Sequence, residues 1–165
     1  MSSDQESSTT DQMQNDELRE RIITFLSNQN MCVLATCLDR VPRATPIEYH
    51  SKNLTLYFIA EHGVKLMNIN GNPNMSVGVF HPYTGWNSTC GAQITGKAKI
   101  LSRENSTEFK EGLEVCDWKK TAEEMGLKKF PLSVELVRID SVKIEYIDMS
   151  LRSGGYSPRQ VLEIN

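Results

Sequence analysis

Short segments rich in β-branched and aromatic residues, separated by turn residues, run through most of this chain. Six such segments span 32–37, 43–49, 54–60, 75–80, 92–101 and 132–148. Val, Ile, Tyr and Phe favour strands, and this number of short runs is typical of barrels and sandwiches. A βαβ protein would instead alternate strands with helices. The three residues 51–53 between the second and third segments predict an antiparallel hairpin. The sequence therefore predicts a mainly β protein.

The two ends of the chain are predicted to lie outside this β-rich domain. Residues 1–15 contain no aromatic or β-branched aliphatic residue, so they cannot bury enough apolar surface to order themselves and predict a disordered tail. Residues 151–165 contain Gly, Ser and Pro and are interpreted as a C-terminal tail. One domain is therefore expected over 16–150.

Three helical regions are predicted beside the strands. After Asp16, which can cap a helix, Leu18, Ile22 and Leu26 recur at helical spacing. Residues 62–69 predict a short helix that stops before the turn at 71–73, where a proline and its predecessor resist helical geometry. Residues 102–126 predict two helical segments, the first capped by Ser102 and the second by a capping box of Thr121 and Glu124.

Composition excludes several functional classes. The net charge of −3 gives no positive field for nucleic acid, and neither a secretory signal nor an apolar run of membrane-spanning length is visible. We therefore expect a cytoplasmic protein with no nucleic-acid or membrane partner, in which the four cysteines are free thiols. The three histidines are isolated, so no metal site is expected.

The third β segment is apolar on both faces. Leu54, Leu56, Phe58 and Ala60 share one face, while Tyr57 and Ile59 share the other. Antiparallel strands usually show one polar face to water, so the second face must be covered. The helical region 102–126, a subunit partner and a flat ligand are all possible covers.

A candidate phosphate site follows directly after this segment. His62, Gly63 and Lys65 stand at the start of the predicted helix 62–69, where unpaired amides and the positive end of the helix dipole favour an anion. The alternative interpretation is that Lys65 is only a solvated helix residue.

An ordered series of motifs resembles the pyridoxamine 5'-phosphate oxidase-like split-barrel superfamily over about residues 31–101. The series is Leu34-Ala35-Thr36, Val41-Pro42-Arg43-Ala44-Thr45-Pro46, Leu56-Tyr57-Phe58, Lys65 followed by Asn72-Pro73, and Ile94-Thr95-Gly96-Lys97-Ala98. The resemblance implies a six-stranded antiparallel split β-barrel with Greek-key connections and peripheral helices. It also implies a homodimer that holds two FMN molecules at the subunit interface.

The same resemblance assigns the cofactor residues. Arg43, Ala44, Thr45, Pro46 and Ile47 would run beside the isoalloxazine, Ile59 and Ala60 would flank the ribityl chain, and His62, Gly63 and Lys65 would meet the phosphate. Apart from the resemblance, the strand position of Gln93 favours a place facing the flavin, and the loop 81–89 carries Tyr83 and Trp86, aromatic residues expected to close over its ring. For Trp86, core packing is the alternative. A deazaflavin or haem is the alternative cofactor, held by a binding module without catalysis.

Several residues differ from those of pyridoxamine 5'-phosphate oxidase, and these differences argue against the reaction of that enzyme. Ile59, Gly63 and Val64 stand where the oxidase has polar side chains, which leaves the phosphate to Lys65, His62 and backbone amides. The Arg-x-His element that the oxidase uses for its substrate is not recognisable in 151–165. The expected function is therefore an FMN-dependent oxidoreductase acting on an unidentified small molecule, and not pyridoxamine 5'-phosphate oxidation.

Overall fold

Eight strands and four α-helices make up the computed structural model, which describes residues 12–104 and 106–164. The helices are α1 (Asn15–Ser27), α2 (Val64–Gly71), α3 (Thr107–Val115) and α4 (Trp118–Met125). The strands are β1 (Met31–Leu38), β2 (Val41–Glu48), β3 (His50–Lys52), β4 (Thr55–Glu61), β5 (Asn74–Phe80), β6 (Cys90–Ile100), β7 (Val134–Asp148) and β8 (Arg159–Glu163). Apart from 12–15, the predicted N-terminal tail lies outside the described residues.

The strands form one antiparallel sheet that curls on itself. Their order is β2-β1-β5-β6-β7-β4-β3, and β8 pairs with β7. Because β2 and β3 are separated only by Tyr49, the two edges of the sheet are parts of one continuous segment. The ring of Tyr49 is buried, and its hydroxyl donates to the Leu26 carbonyl at 2.7 Å. The predicted mainly β split barrel with flanking helices is confirmed, although β3 and β8 raise the strand count above six.

A single core fills the interior of the curled sheet. Apolar side chains from alternate positions of the strands meet those of α1 and α2 there, as the period of two in strands requires. The fully buried members include Leu18, Ile22, Leu26, Leu34, Leu56, Ile94, Ile139 and Ile144. α1 closes one end of the barrel and α2 the other, because α1 packs on β3 and β8 while α2 packs on the far end of β1.

The predicted C-terminal tail contains ordered structure. Residues Met149–Gly154 form a 3₁₀ turn, and β8 then pairs with β7 in the register Glu145↔Val161. The glycines and Pro158 of 151–165 mark the turn that leads into β8, whose own alternation of buried and exposed residues covers only five positions. Within the segment interpreted as a C-terminal tail, residues 159–163 therefore form a strand of the sheet.

Helix boundaries differ from the prediction at three caps. α1 begins at Asn15 after Gln14, so the predicted cap Asp16 lies inside the helix. α3 begins later than expected and is capped by Ser106, whose hydroxyl accepts from the Phe109 amide at 3.0 Å. α4 begins after Asp117, which adopts a left-handed φ of 47°, so Thr121 lies inside the helix and the predicted capping box is wrong. α4 therefore begins at Trp118, directly after the left-handed residue Asp117 and three residues before Thr121.

The second apolar face of β4 lies mainly under α3. Tyr57 is buried in a small cluster with Leu101, Phe109, Cys116 and Leu136 on the outside of the barrel. Of the three covers left open by the sequence, the helical region therefore covers Tyr57. Ile59 is only half-buried at the margin of this cluster.

Candidate cofactor site

Strand β2 carries the residues predicted to run beside the flavin ring. It is the first strand in the order of the sheet and is therefore an edge strand. A two-residue turn, with Asp39 and Arg40 at φ values of 50° and 64°, folds β2 back onto β1 in the manner of a primed hairpin turn. Arg43, Ala44 and Pro46 are exposed. An edge strand also leaves backbone groups unpaired. β2 therefore offers small side chains and backbone groups to a flat molecule.

Lys65, one of the residues predicted to meet the phosphate, lies on α2 at the barrel end that this helix closes, and Arg43, predicted to run beside the ring, lies on β2 opposite Thr36. The Asn68 side-chain amide donates to the Thr36 hydroxyl at 3.0 Å, and Thr36 is the strand partner of Arg43. Lys65 precedes Asn68 by three residues on α2, which places it on the same helix face. Lys65 and Arg43 therefore both lie toward the barrel end that α2 closes.

Neither of these cations is neutralised within the described part of the chain. None of the ion pairs formed by residues 12–104 and 106–164 includes Arg43 or Lys65. The first turn of α2 also leaves amides without intrahelical partners. Gly63, just before the helix, has no atom within 4 Å of where a Cβ would stand. Free positive charge, free amides and open space fit a phosphate group.

Asn72, part of the motif that suggested the family, has a structural role. Its side-chain amide donates to the Cys37 carbonyl at 3.0 Å, and its side-chain oxygen accepts from the Asn74 backbone amide at 3.1 Å. These bonds tie the end of β1 to the turn between α2 and β5. The spacing between Lys65 and Asn72 therefore reflects how α2 is anchored beside β2.

His62 is directed toward an acidic group. Its Nε2 lies 3.4 Å from the Glu135 carboxylate, which also lies 3.5 Å from the guanidinium of Arg103. The imidazole remains exposed. The structure thus gives His62 a carboxylate partner of its own, beside the turn that holds Gly63.

Ile59 and Ala60 point to opposite sides of β4. The Ala60 side chain is buried in the core, so only its backbone can face a ligand. Ile59 points outward and remains half-buried. Of the two residues predicted to flank the ribityl chain, Ile59 alone presents its side chain to the outside.

Gln93 lies on the outer face of the sheet, away from β2. One row of paired residues runs from Pro46 through Val33 and Gly78 to Gln93. Three strand spacings of about 4.8 Å separate the ends of this row by about 14 Å along the sheet. Gln93 therefore shares a face with Pro46 without lying next to it.

The predicted ring cover also lies apart from β2. Tyr83 and Trp86 are on the loop between β5 and β6, where their side chains are 75% and 64% exposed. Both residues are therefore largely open to solvent in one copy of the chain. The predicted residues thus form two groups: the β2 group on β2, β4 and α2, and the Gln93 group on β6 and its preceding loop.

Sequence reasoning missed the residues that surround Gln93. A groove of about 430 Å³ on the outer face is floored by Gly78 and bordered by Phe80, Arg159 and Val161. β8 supplies Arg159 and Val161. Its sequence carries no alternating polar and apolar signal, because the buried Gln160 is polar and the exposed Val161 is apolar.

Burial disfavours the reactive thiolate form at three of the four cysteines. Burial raises the pKa of Cys32 and Cys116 to about 12, and burial also raises the pKa of Cys90. All four thiols are free. Within residues 12–104 and 106–164, no group of His, Cys, Asp and Glu side chains could hold a metal ion, and none of the helices there could cross a membrane.

Comparison with protein-family models identifies the family. The model described as pyridoxamine 5'-phosphate oxidase matches residues 18–139, which is most of the chain. The chain belongs to this family. The match spans α1 through the middle of β7 and includes the whole β2 group. No curated protein matches.

Solved structures with the same fold bind different cofactors. General Stress Protein 26 from Bacillus anthracis is 20% identical with a TM-score of 0.65, and the alignment covers 90% of this chain and 99% of that one. An FAD-binding protein from Mesorhizobium loti is 17% identical, with a TM-score of 0.60 and coverage of 76% and 88%. HutZ, the haem storage protein from Vibrio cholerae, is 15% identical, with a TM-score of 0.61 and coverage of 75% and 89%. At these identities the likeness establishes the fold alone.

Proposed function

We propose that this protein binds FMN and acts as an oxidoreductase on a small molecule. The observation that carries the proposal is the presence of two unneutralised cations, Arg43 and Lys65, at the barrel end that α2 closes. Such a site suits a phosphate monoester, because helix amides, the helix dipole and charge act together. The family match supports the choice of a flavin phosphate.

The chain's own residues would position the cofactor. Lys65, Arg43 and the α2 amides would hold the phosphate, while Gly63 leaves room for it. β2, from Ala44 to Ile47, would lie along the ring, and Ile59 would flank the ribityl chain. Flavin supplies hydride or electron transfer, so the protein needs to bind, orient and exclude water without a catalytic acid or base.

Two copies of the chain would complete the site. At about 4.8 Å per strand, Gln93 lies about 14 Å from Pro46 along the sheet. Gln93 and β2 of one copy therefore do not meet at the same edge of one flavin ring. We propose a homodimer in which the second copy contributes Gln93, with Tyr83 and Trp86 covering the ring. The exposure of both aromatic side chains in a single copy supports this arrangement.

Oxidation of pyridoxamine 5'-phosphate itself is not proposed. Gly63 and Val64 provide no side-chain donor to the phosphate, and no Arg-x-His element is recognisable in 151–165. The substrate would therefore be another small molecule that reaches the flavin.

Non-catalytic binding of haem or a deazaflavin is the second candidate. The fold of HutZ, a haem storage protein, favours this alternative. The absorption spectrum of the purified protein separates the candidates, because flavin, deazaflavin and haem absorb at different wavelengths. A colourless protein that takes up haem and not FMN would replace the first proposal by the second.

The decisive test is an FMN titration of the wild type and of Lys65→Ala. Loss of a hydrogen bond to a charged group costs about 1 to 3 kcal/mol, so the dissociation constant should rise by roughly one to two orders of magnitude. Lys128→Ala, which removes an exposed lysine outside both groups, is the matched control and should bind FMN as the wild type does. Equal affinity in all three proteins would remove Lys65 from the site.

A further inference from the structure

A second groove, of about 420 Å³, lies between α4 and the barrel wall. We call it the α4 groove and define it by Glu48, Ile59, Asp117, Trp118, Glu124 and Met125. Its volume falls within the range of about 300 to 1,000 Å³ for small-molecule sites. It lies on the outside of the barrel and does not include Lys65 or Gln93.

The groove exists because α4 stands away from the barrel. α3 buries Phe109 and Gly112 against the sheet, whereas α4 buries none of its residues. Met125, at the end of α4, is 65% exposed. A helix that leaves its apolar side chains uncovered is a candidate binding surface.

One wall of the α4 groove is aromatic and fixed in position. The Trp118 ring contacts Phe130 edge-on, with centroids 4.9 Å apart and planes at 70°. The Phe130 ring is held in turn by the guanidinium of Arg103, 5.0 Å from its centroid. Ile59 and Leu127 contribute the aliphatic part of the lining. These residues provide an ordered apolar surface for a flat molecule.

The α4 groove is lined by more acidic than basic side chains. Three carboxylates, Glu48, Asp117 and Glu124, line it, against the single ammonium group of Lys120. Glu48 lies 3.9 Å from His50, which also lines the groove. Within the described residues, Asp117 and Glu124 have no ion-pair partner. A cleft lined by one sign of charge attracts ligands of the opposite sign.

We propose that the α4 groove binds a small aromatic cation. The apolar wall takes the flat body, the carboxylates attract the charge, and the indole face of Trp118 adds an attraction for a cation placed over it. Phosphate and carboxylate ligands are disfavoured by the same charges. Ile59 is shared with the proposed flavin site, so a molecule bound here would lie beside the flavin, but binding itself does not require the flavin.

Tryptamine and indole-3-acetate test this proposal as probes of opposite charge. The chain contains only two tryptophans, so a ¹H–¹⁵N correlation spectrum reports Trp118 in the groove and Trp86 outside it in one titration. We expect tryptamine to shift the Trp118 indole N–H in a saturable way and to leave Trp86 unchanged. Indole-3-acetate should bind at least several times more weakly.

Charge variants sharpen the test without altering the apolar wall. Glu124→Gln and Asp117→Asn should each weaken tryptamine binding by about two- to fivefold, the range for one exposed ion pair. Asn tolerates the left-handed backbone of Asp117, so the start of α4 is preserved. Lys120→Gln should strengthen binding by a similar factor.

Three results of the titrations would overturn the proposal, and a competition experiment supplies a fourth. They are the absence of a Trp118 shift, equal affinity for the two probes, and charge variants that leave the affinity for tryptamine unchanged. Displacement of tryptamine by FMN from the same groove would also overturn it, because it would assign the groove to the flavin. Failure of FMN to bind at Lys65 would refute the proposed function and leave the tryptamine result intact.

Discussion

The two ends of the barrel are closed in different ways. At the α1 end, polar groups are paired: the Arg21 guanidinium donates to the Asp148 carboxylate at 2.8 Å, and Tyr146 donates to the same carboxylate at 3.2 Å. At the α2 end, Asn68 bonds Thr36, but Arg43 and Lys65 stay without ion-pair partners among the described residues.

We infer from this contrast that the α1 end mainly stabilises the fold and that the α2 end is available for binding. Paired polar groups and buried apolar side chains stabilise the α1 end and leave little capacity to bind a ligand. Unpaired cations contribute little to folding but can gain an anionic partner, and binding sites often leave such groups available for the ligand. We therefore expect changes at the α1 end to alter the free energy of unfolding and changes at the α2 end to alter cofactor affinity.

The largest effect is expected at Ile22, which is fully buried on α1. Ile22→Ala should lower the free energy of unfolding by about 2 to 5 kcal/mol, because it removes buried methyl groups and leaves a cavity. Urea unfolding followed by circular dichroism measures this change. Met67→Ala on α2 is the control: Met67 is 64% exposed, so we expect a change within about 0.5 kcal/mol. Similar losses in both variants would contradict the difference between the two ends.

A smaller, pH-dependent effect is expected at Asp148. Burial opposes ionisation of this carboxyl, but hydrogen bonds from Ser150 and Arg21 outweigh it and lower its pKa. Asp148→Asn should reduce the free energy of unfolding at neutral pH by about 2 kcal/mol, the scale for hydrogen bonds to a charged group.

The pH at which this difference disappears follows from the direction of the shift. A carboxyl with a lowered folded-state pKa stabilises the protein above its unfolded pKa of about 3.9, and the stabilisation is lost as the pH falls through the folded-state value. Urea unfolding at a series of pH values should therefore show the wild type and Asp148→Asn converging below about pH 4. Exposed Glu163→Gln should show no comparable difference at neutral pH. A pH-independent gap would refute the assigned role of the ionised carboxylate.

The smallest effect is expected at Gly63, in the open space beside α2. The backbone there is extended, so Ala is tolerated, and the free energy of unfolding should be unchanged or raised by up to about 1 kcal/mol. If FMN phosphate fills this space, the added methyl group should weaken FMN binding by about 1 kcal/mol. Calorimetric titration with FMN measures this change in affinity. Unchanged FMN affinity in Gly63→Ala would place the phosphate elsewhere.

The sequence predicted the local elements well where they had a strong period. The five strands from β1 to β6, apart from the short β3, lie close to the predicted segments, and α1 begins two residues before the position expected after an Asp16 cap. Neither β8 nor the start of α4 was predicted from the sequence. A five-residue strand has too few alternating positions to stand out, and the left-handed conformation of Asp117 depends on how α3 and α4 pack.

The family and the mainly β fold could be read from the sequence because strand periodicity, turn residues and motif order are local properties. The arrangement of the candidate site could not. The bond between Asn68 and Thr36 places α2 over the end of β1 that pairs with Arg43, while Gln93 is placed three strands away from β2 by the order of the sheet. Contacts between residues far apart in sequence depend on how the strands pair, and only the tertiary structure decides that pairing.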